Sequence, residues 1–420
     1  MKTVLRCQKN RLRLTKHEYE IITALAFHSA RLYNVGLYSV RQYYFANNTY
    51  LNYSQNYHAC KDNENYRLLL SDTAQQILRL VERNMKSFFA LWHLKQSGKY
   101  SDAVRLPHYK GKQELGIVLI QGRSARIKHG VVHVGFSKAF KEKYAPRMAE
   151  LTFTLPKHIH VDRLHELRIL PVFGGKEFDI EFVYELTCDP QPLDASRWLS
   201  VDMGLDNFAT AFNCISGTSF IIDGKPIKHL NWKYNKDVAR LQQINAWQHR
   251  TQPTRRIMRV TRKRAWAIND YFNRAVKTIA DYCLQQNIGA VVVGHFSDIK
   301  RGINHGARNN QNFVQIPYGL FRQKLHSKCD ALGIEYLTIE ESYTSKTSFL
   351  DGEFPKKQET YAGRRIHRGL FRTASGAVVN ADVNGAAQIA RKYSTSNHRF
   401  AFGERVDAGF VSNPTRIRLR

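Results

Sequence analysis

Acid is what this chain is short of. Of 420 residues, 35 are Asp or Glu against 64 Lys or Arg, a formal charge of +29. An excess of that size calls for a polyanion or a membrane surface as partner. The membrane is disfavoured, because no apolar stretch approaches the roughly 20 residues that cross a bilayer. The opening MKTVLRCQKNRLRLTK also breaks any signal-peptide core with charge, so the chain is expected in the cytoplasm. The six cysteines (Cys7, Cys60, Cys188, Cys214, Cys283, Cys329) form no CxxC pair, which excludes a cysteine zinc site and gives no disulfide framework. Histidine lacks the HExxH spacing of metalloproteases, and no GxxxxGK[ST] loop offers a seat for ATP. Internal repeats and long low-complexity linkers are absent too.

Aromatic residues are abundant, 12% of the chain, and are interleaved with Arg and Lys rather than set along one basic amphipathic helix. That arrangement suits base stacking and phosphate contact better than a lipid surface, so nucleic acid is the expected partner. The length exceeds one hydrophobic core, and two or three domains are expected.

The pattern changes character along the chain and suggests a multidomain α+β protein. Residues 1–15 read as the first strand of a small β-barrel, and residues 16–104 as a helical domain. Its first helix runs over 16–46. In its second, Ser71 is the expected N-cap and Asp72 the first-turn acid, and an apolar stripe from Ile77 through Phe88, Phe89 and Trp92 is expected in the core. Residues 105–192 alternate in short runs and read as the rest of the barrel, or a sandwich. Residues 193–393 read as an α/β layer domain, with strands at 198–204, 207–213, 218–223, 288–296 and 334–340. A long basic helical segment at 233–286 and a closing helix near Asp382 complete it. Residues 394–420 read as a basic, mostly disordered tail.

Two acids stand out. Trp198-Leu-Ser-Val-Asp202-Met-Gly204-Leu-Asp206 delivers a carboxylate at the end of an apolar strand, where either a divalent metal or a turn-capping role would account for it. Val379-Asn-Ala-Asp382-Val-Asn384-Gly385 places an acid in the first turn of an Ala-rich helix, which metal binding or the helix dipole would equally explain.

In this order, the two acids resemble the first and third acidic motifs of RuvC-like nucleases of the RNase H fold. In detail the chain resembles the TnpB (OrfB) proteins of insertion sequences, relatives of the type V CRISPR effectors. The resemblance runs through Tyr33-Asn34, Lys86-Ser-Phe-Phe89, Pro107-His-Tyr-Lys110, the Asp202 strand, Tyr343-Thr-Ser-Lys346 and Asp382-Val-Asn384. It implies a helical recognition domain, a wedge-like barrel, a RuvC-like nuclease domain with an insert at 342–378, and a prokaryotic host. It also implies a guide RNA, a DNA target, and Mg²⁺ at the acids.

The chain departs from that family at two places. The fourth strand, Ala290-Val-Val-Val-Gly294-His295, carries Gly294 where most members have a glutamate. Glu341, with Glu340 as the alternative, stands at the end of the neighbouring strand and resembles the relocated acid of a known branch. Strand alternation separates the two acids onto different faces without choosing between them, and Asp298 is a poorer third candidate. The second departure is Ser348 and Asp351, which stand where the family's first zinc-binding cysteine pair would be, so no zinc is expected.

The cation-rich run Arg255, Arg256, Arg259, Arg262, Lys263, Arg264 contains no acid and is expected to offer phosphates its early turns, with a later stripe from Trp266 to Ile279 packed on the sheet. Lys346, Arg364, Arg365 and Arg368 are further expected contacts, and the Asn-rich stretch 302–313 suits sugar, phosphate or base edges. The functional expectation is an RNA-guided, Mg²⁺-dependent DNA endonuclease using Asp202, Glu341 and Asp382. Gly294 motivates the alternative, a nuclease-dead guided DNA-binding protein. A junction resolvase without RNA shares the core but leaves the first 190 residues idle. The sequence is silent on a homodimer.

Overall fold

The computed structural model describes residues 2–157, 159, 161–295, 315–367, 369–397, 402 and 413–419. Asp298, Arg368 and the stretch 302–313 lie outside the described residues. The chain forms two compact units, one of Thr3–Thr187 and one of Cys188–Arg420 with the first two residues.

The first unit is helical and sheet-bearing. Helix α1 (Lys16–Asn47) starts where Thr15 and Glu18 cap each other reciprocally, a capping box written in Thr-x-x-Glu. It packs on α4 (Ser71–Gln96) through Ile22, Leu25, Leu37 and Val40 against Ile77, Leu78, Val81 and Met85, all buried. Gly36 permits the crossing, since a Cβ there would sit 2.7 Å from Leu78 Cδ2. Short helices α2 (Tyr53–Cys60) and α3 (Glu64–Leu68) join the pair.

Two sequence expectations for α4 fail. Ser71 is already helical and makes no cap, whereas Asp72 stands in the first turn as expected and there accepts Arg123 Nε and Ser124 Oγ. The apolar stripe is fully buried only as far as Met85: Phe89 still packs against the core beside Tyr44 and Tyr50, but Trp92 is 40% exposed.

The strands of this unit form two sheets. One has the order β1 (Lys2–Arg11), β7 (Glu177–Cys188), β6 (Arg163–Val172), β2 (Val118–Gln121), and the other joins β3 (Ala125–Lys128), β4 (Val131–Val134) and β5 (Leu151–Thr154). Helix α5 (Lys138–Tyr144) lies between β4 and β5 in sequence.

The second unit is built on one six-stranded sheet. Its order is β12 (Glu335–Glu340), β11 (Ile288–His295), β8 (Asp194–Met203), β9 (Asn207–Asn213), β10 (Ser219–Asp223), β16 (Thr415–Ile417). Strands β8, β9 and β10 form an antiparallel meander, while β11 runs parallel to both β8 and β12. Alternation along β8 sends Leu199, Val201 and Met203 to a core shared with α7 (Arg255–Gln285) and α8 (Tyr318–Leu332). The opposite face meets α9 (Ala381–Asn397), where Ser200 Oγ donates to Ala386 O at 2.7 Å. The remaining strands β13 (Arg364–His367), β14 (Leu370–Arg372) and β15 (Val378–Asn380) make a small antiparallel sheet ahead of α9.

Three more expectations change here. The basic segment is two helices, α6 (Lys225–Trp247) and α7, because Thr251-Gln-Pro-Thr breaks the run. Trp266 is 53% exposed and stands outside the buried stripe, which starts at Ile268. Part of the tail is ordered, since Thr415–Ile417 pairs in parallel with β10 and Arg416 reaches the buried Asp223 at 3.7 Å.

Candidate active site

Three acids from distant parts of the chain come within electrostatic reach on the α9 face of the six-stranded sheet. Asp202 follows Ser200 by two residues on β8, so the pleat points it the same way, and the absent side chain of Gly385 on α9 leaves it room. A Cβ on Gly385 would lie 2.9 Å from Asp202 Oδ2. Burial, then the charges of Glu341 and Asp382, hold the Asp202 carboxyl well above the usual carboxylate range.

Register decides where the tandem glutamates point. Strand β12 pairs with β11 so that Ile339 faces Gly294 and Glu340 faces His295, and Glu341 N donates to His295 O at 3.2 Å. Glu340 is exposed, whereas the side chain of Glu341 fills the space above Gly294. A Cβ added at Gly294 would sit 2.6 Å from Glu341 Oε2 and 2.4 Å from Ile389 Cδ1. Burial lifts the Glu341 carboxyl to about 7 despite Arg322 and Lys392 nearby. Its Oε2 is buried with no hydrogen-bond partner among the described residues.

Asp382 opens α9 and is the more engaged acid. Its Oδ2 accepts Asn207 Nδ2, and Arg365 Nη2 donates to its Oδ1 at 3.1 Å. Those two contacts draw it aside, and no three Asp, Glu, His or Cys side chains among the described residues are gathered closely enough to hold one ion. The donors nonetheless suit a hard divalent cation: all are carboxylate oxygens, and one is orphaned and buried.

Sequence reasoning missed Asn207, Tyr318, Arg322 and Lys392 at this site. Tyr318 donates to Gly204 O at 2.8 Å, and burial together with Asp202 and Glu341 pushes its phenol up. Lys392 donates to Ser342 Oγ at 2.8 Å. Only Asn207 had a signal, its place two residues beyond the hairpin Gly204-Leu; the others are brought in by topology.

The insert between Thr347 and Asn380 is held by hydrogen bonds where the resemblance would put zinc. Glu353 accepts Ser348 N at 2.6 Å and Ala362 N at 2.7 Å, and Asp351 accepts Ala374 N at 2.8 Å. From α9, Asn384 donates to Thr347 O and accepts from Phe349 N, both at 2.9 Å, while Gln388 and Arg391 donate to Glu353 O and Phe349 O. Arg364 and Arg365 stand exposed on the hairpin that this clamp supports.

Among the other expected contacts, Arg255, Arg256, Arg259, Lys263 and Lys346 are exposed. Arg262 is not: it is 8% exposed and its guanidinium lies over Trp266, because its helical position faces inward with Met258.

Comparison with known proteins agrees with this architecture. Residues 181–300 match the family OrfB_IS605, described as a probable transposase, and residues 318–389 match the Cas12f1-like TNB domain family. Among solved structures, a cryo-EM structure of a Cas12f1-sgRNA-target DNA complex matches over 90% of this chain and 83% of that one, at 16% identity and TM-score 0.56. A CRISPR-Cas12f ternary complex matches over 88% and 80% at 14% identity with TM-score 0.36, and an AacC2c1-sgRNA binary complex over 84% and 62% at 9% identity with TM-score 0.34. No curated protein matches the chain. Among the described residues no helix is long and apolar enough to cross a membrane.

These findings define a mixed α/β multidomain chain that shares its fold with Cas12f1 and is similar over residues 181–300 to a family of probable transposases. The matches over residues 181–300 and 318–389 are consistent with the TnpB (OrfB) family.

Proposed function

We propose that the chain is an RNA-guided DNA endonuclease with a RuvC-like core, hydrolysing phosphodiester bonds at Asp202, Glu341 and Asp382. The observation that carries the reading is Glu341, whose carboxylate stands in the space a side chain at position 294 would take, with one oxygen orphaned. A carboxylate whose buried oxygen has no partner and whose charge bears on Asp202 has no structural use, and an arrangement that costs stability without an internal partner is expected at a functional site.

The three carboxylates would hold Mg²⁺. When bound, the ion supplies Lewis-acid charge neutralisation and water activation. The protein's own contribution is to half-bury Asp202 and Glu341, keep Asp382 at the first turn of α9, and fix that helix through Ser200 and the insert. Arg365 pairs with Asp382 and stands exposed beside it, where its guanidinium would also meet a phosphate. Guide pairing would read the DNA sequence, and the protein would hold the RNA and target through backbone contacts. The solved Cas12f1 complex with sgRNA and target DNA supports that partner set, as does the charge of +29.

The test is to purify the protein together with its native flanking locus, sequence any co-purified RNA, and assay cleavage of matched DNA with and without Mg²⁺. The expected result is a discrete bound RNA and cleavage lost in Asp202→Asn. RNA binding with no cleavage under any divalent ion would instead support a guided DNA-binding protein.

A further inference from the structure

The helical pair α6 and α7 carries a surface that the carboxylate site does not use. Between Lys225 and Asn269 the chain has 12 Lys or Arg and a single acid, Asp237. Helix α7 covers the sheet face opposite α9, so this surface is not where Asp202 and Asp382 stand. Three of the five tryptophans in the chain lie on it: Trp232 is 55%, Trp247 78% and Trp266 53% exposed.

Exposed tryptophan is costly when nothing covers it, and three on one hairpin call for a partner with flat apolar faces. Their setting identifies that partner. Lys236 lies 5.3 Å from the Trp232 ring and Arg262 5.6 Å from the Trp266 ring. Lys233, Arg240, Arg250, Arg255, Arg256 and Lys263 are exposed around them.

The two helices are locked side by side at one level. Arg264 Nε donates to Asn231 Oδ1 at 2.8 Å and stacks over Tyr234, while Tyr234 OH meets Thr261 Oγ1 at 3.4 Å. Trp232 and Trp266 therefore share that level. Trp247, 15 residues along α6, stands roughly 22 Å further by helical rise, beside the start of α7 with Arg255 and Arg256. Alternating aromatic and cationic side chains along such a track match unpaired bases and their phosphates. A paired duplex would offer phosphates but keep its base faces closed.

We propose that the α6–α7 hairpin seats an unpaired nucleic-acid strand, with Trp232, Trp247 and Trp266 stacking on bases and the surrounding Lys and Arg holding phosphates. Only the identity of that strand, RNA or displaced DNA, rests on the guided-nuclease reading. The surface itself rests on charge and exposure.

The experiment measures binding, so its failure is separate from failure of cleavage. Full-length protein stripped of nucleic acid is titrated, without divalent ions, against labelled 20-nucleotide oligo-U, oligo-dT and a 20-base-pair duplex, with anisotropy as readout. Trp232→Ala, Trp247→Ala and Trp266→Ala should each weaken single-strand binding at least about fivefold and leave the duplex within twofold; Trp→Phe should keep most of the affinity. Arg255→Gln with Arg256→Gln should weaken all three probes and lower the salt slope by about one for each phosphate no longer neutralised. All three tryptophans are exposed, and unchanged melting would confirm intact folding. A stronger effect on oligo-U or on oligo-dT tells RNA from DNA. The proposal is overturned if the tryptophan variants bind single strands like wild type, if they weaken duplex equally, or if they change only the oligomeric state.

Discussion

Two polar clusters flank the same helix, α9, and they are built to opposite rules. In the insert, Asp351 and Glu353 accept backbone N–H groups, and Asn384 both donates to and accepts from the backbone facing it. Around Asp202, carboxylates face one another, Glu341 Oε2 has no partner among the described residues, and two of the three acids are pushed toward neutrality. A satisfied network specifies shape, whereas an unsatisfied one of like charges stores a demand for a cation. Seven residues, from 382 to 388, link the two on one helix, so the satisfied cluster holds the strained one in place.

The sharpest break in that contrast comes from filling position 294. Gly294→Glu should collide with Glu341 and Ile389 and cut the guided cleavage rate at least about a hundredfold. Adding Glu341→Gly should restore part of the rate, by returning the acid to β11. A double variant no better than the single one would deny that the two positions share one space.

Next in size is Arg365→Ala, which removes the partner of Asp382 and the cation proposed to meet a phosphate; cleavage should fall about tenfold to a hundredfold while RNA binding holds. Equal loss in RNA binding would relocate Arg365 to the guide.

In the satisfied cluster, Glu353→Ala strands the N–H groups of Ser348 and Ala362 and should cost about 1–3 kcal/mol in urea unfolding. Full stability would mean that packing around Phe371, not hydrogen bonding, holds the insert.

The smallest effect is in pH. The folded-state value of Glu341 is raised from 4.5 to about 7, so its protonated form favours folding. That contribution is fully present below about pH 4.5 and is lost as pH rises through 7. Wild type should therefore lose melting temperature relative to Glu341→Gln between pH 5 and 8, and Mg²⁺ should recover more of it at pH 8 than at pH 5.5. A flat difference would place Glu341 in solvent.

How legible all this was depended on length and on register. Apolar runs such as Ala290-Val-Val-Val announce their strands because burial on both faces demands them. The three-residue strand at Thr415 is too short to leave a pattern. The break between α6 and α7 is hidden in a continuous basic run marked only by Pro253, and Trp266 extends the helical period in sequence yet is left 53% exposed in the fold. Arg262 shows the reverse, a cation in a basic run that its helical phase turns inward. The choice between Glu340 and Glu341 needed the pairing of β12 with β11, since alternation only says that they differ. Tyr318, Arg322 and Lys392 reach the acids through tertiary contacts that no local spacing encodes.

The most direct measurement sets Glu341→Gln beside Glu340→Gln in guided DNA cleavage with Mg²⁺. A carboxylate working from the place left open by Gly294 predicts that Glu341→Gln loses at least about a hundredfold in rate, and that Glu340→Gln stays within twofold of wild type. Wild-type cutting by Glu341→Gln would contradict it.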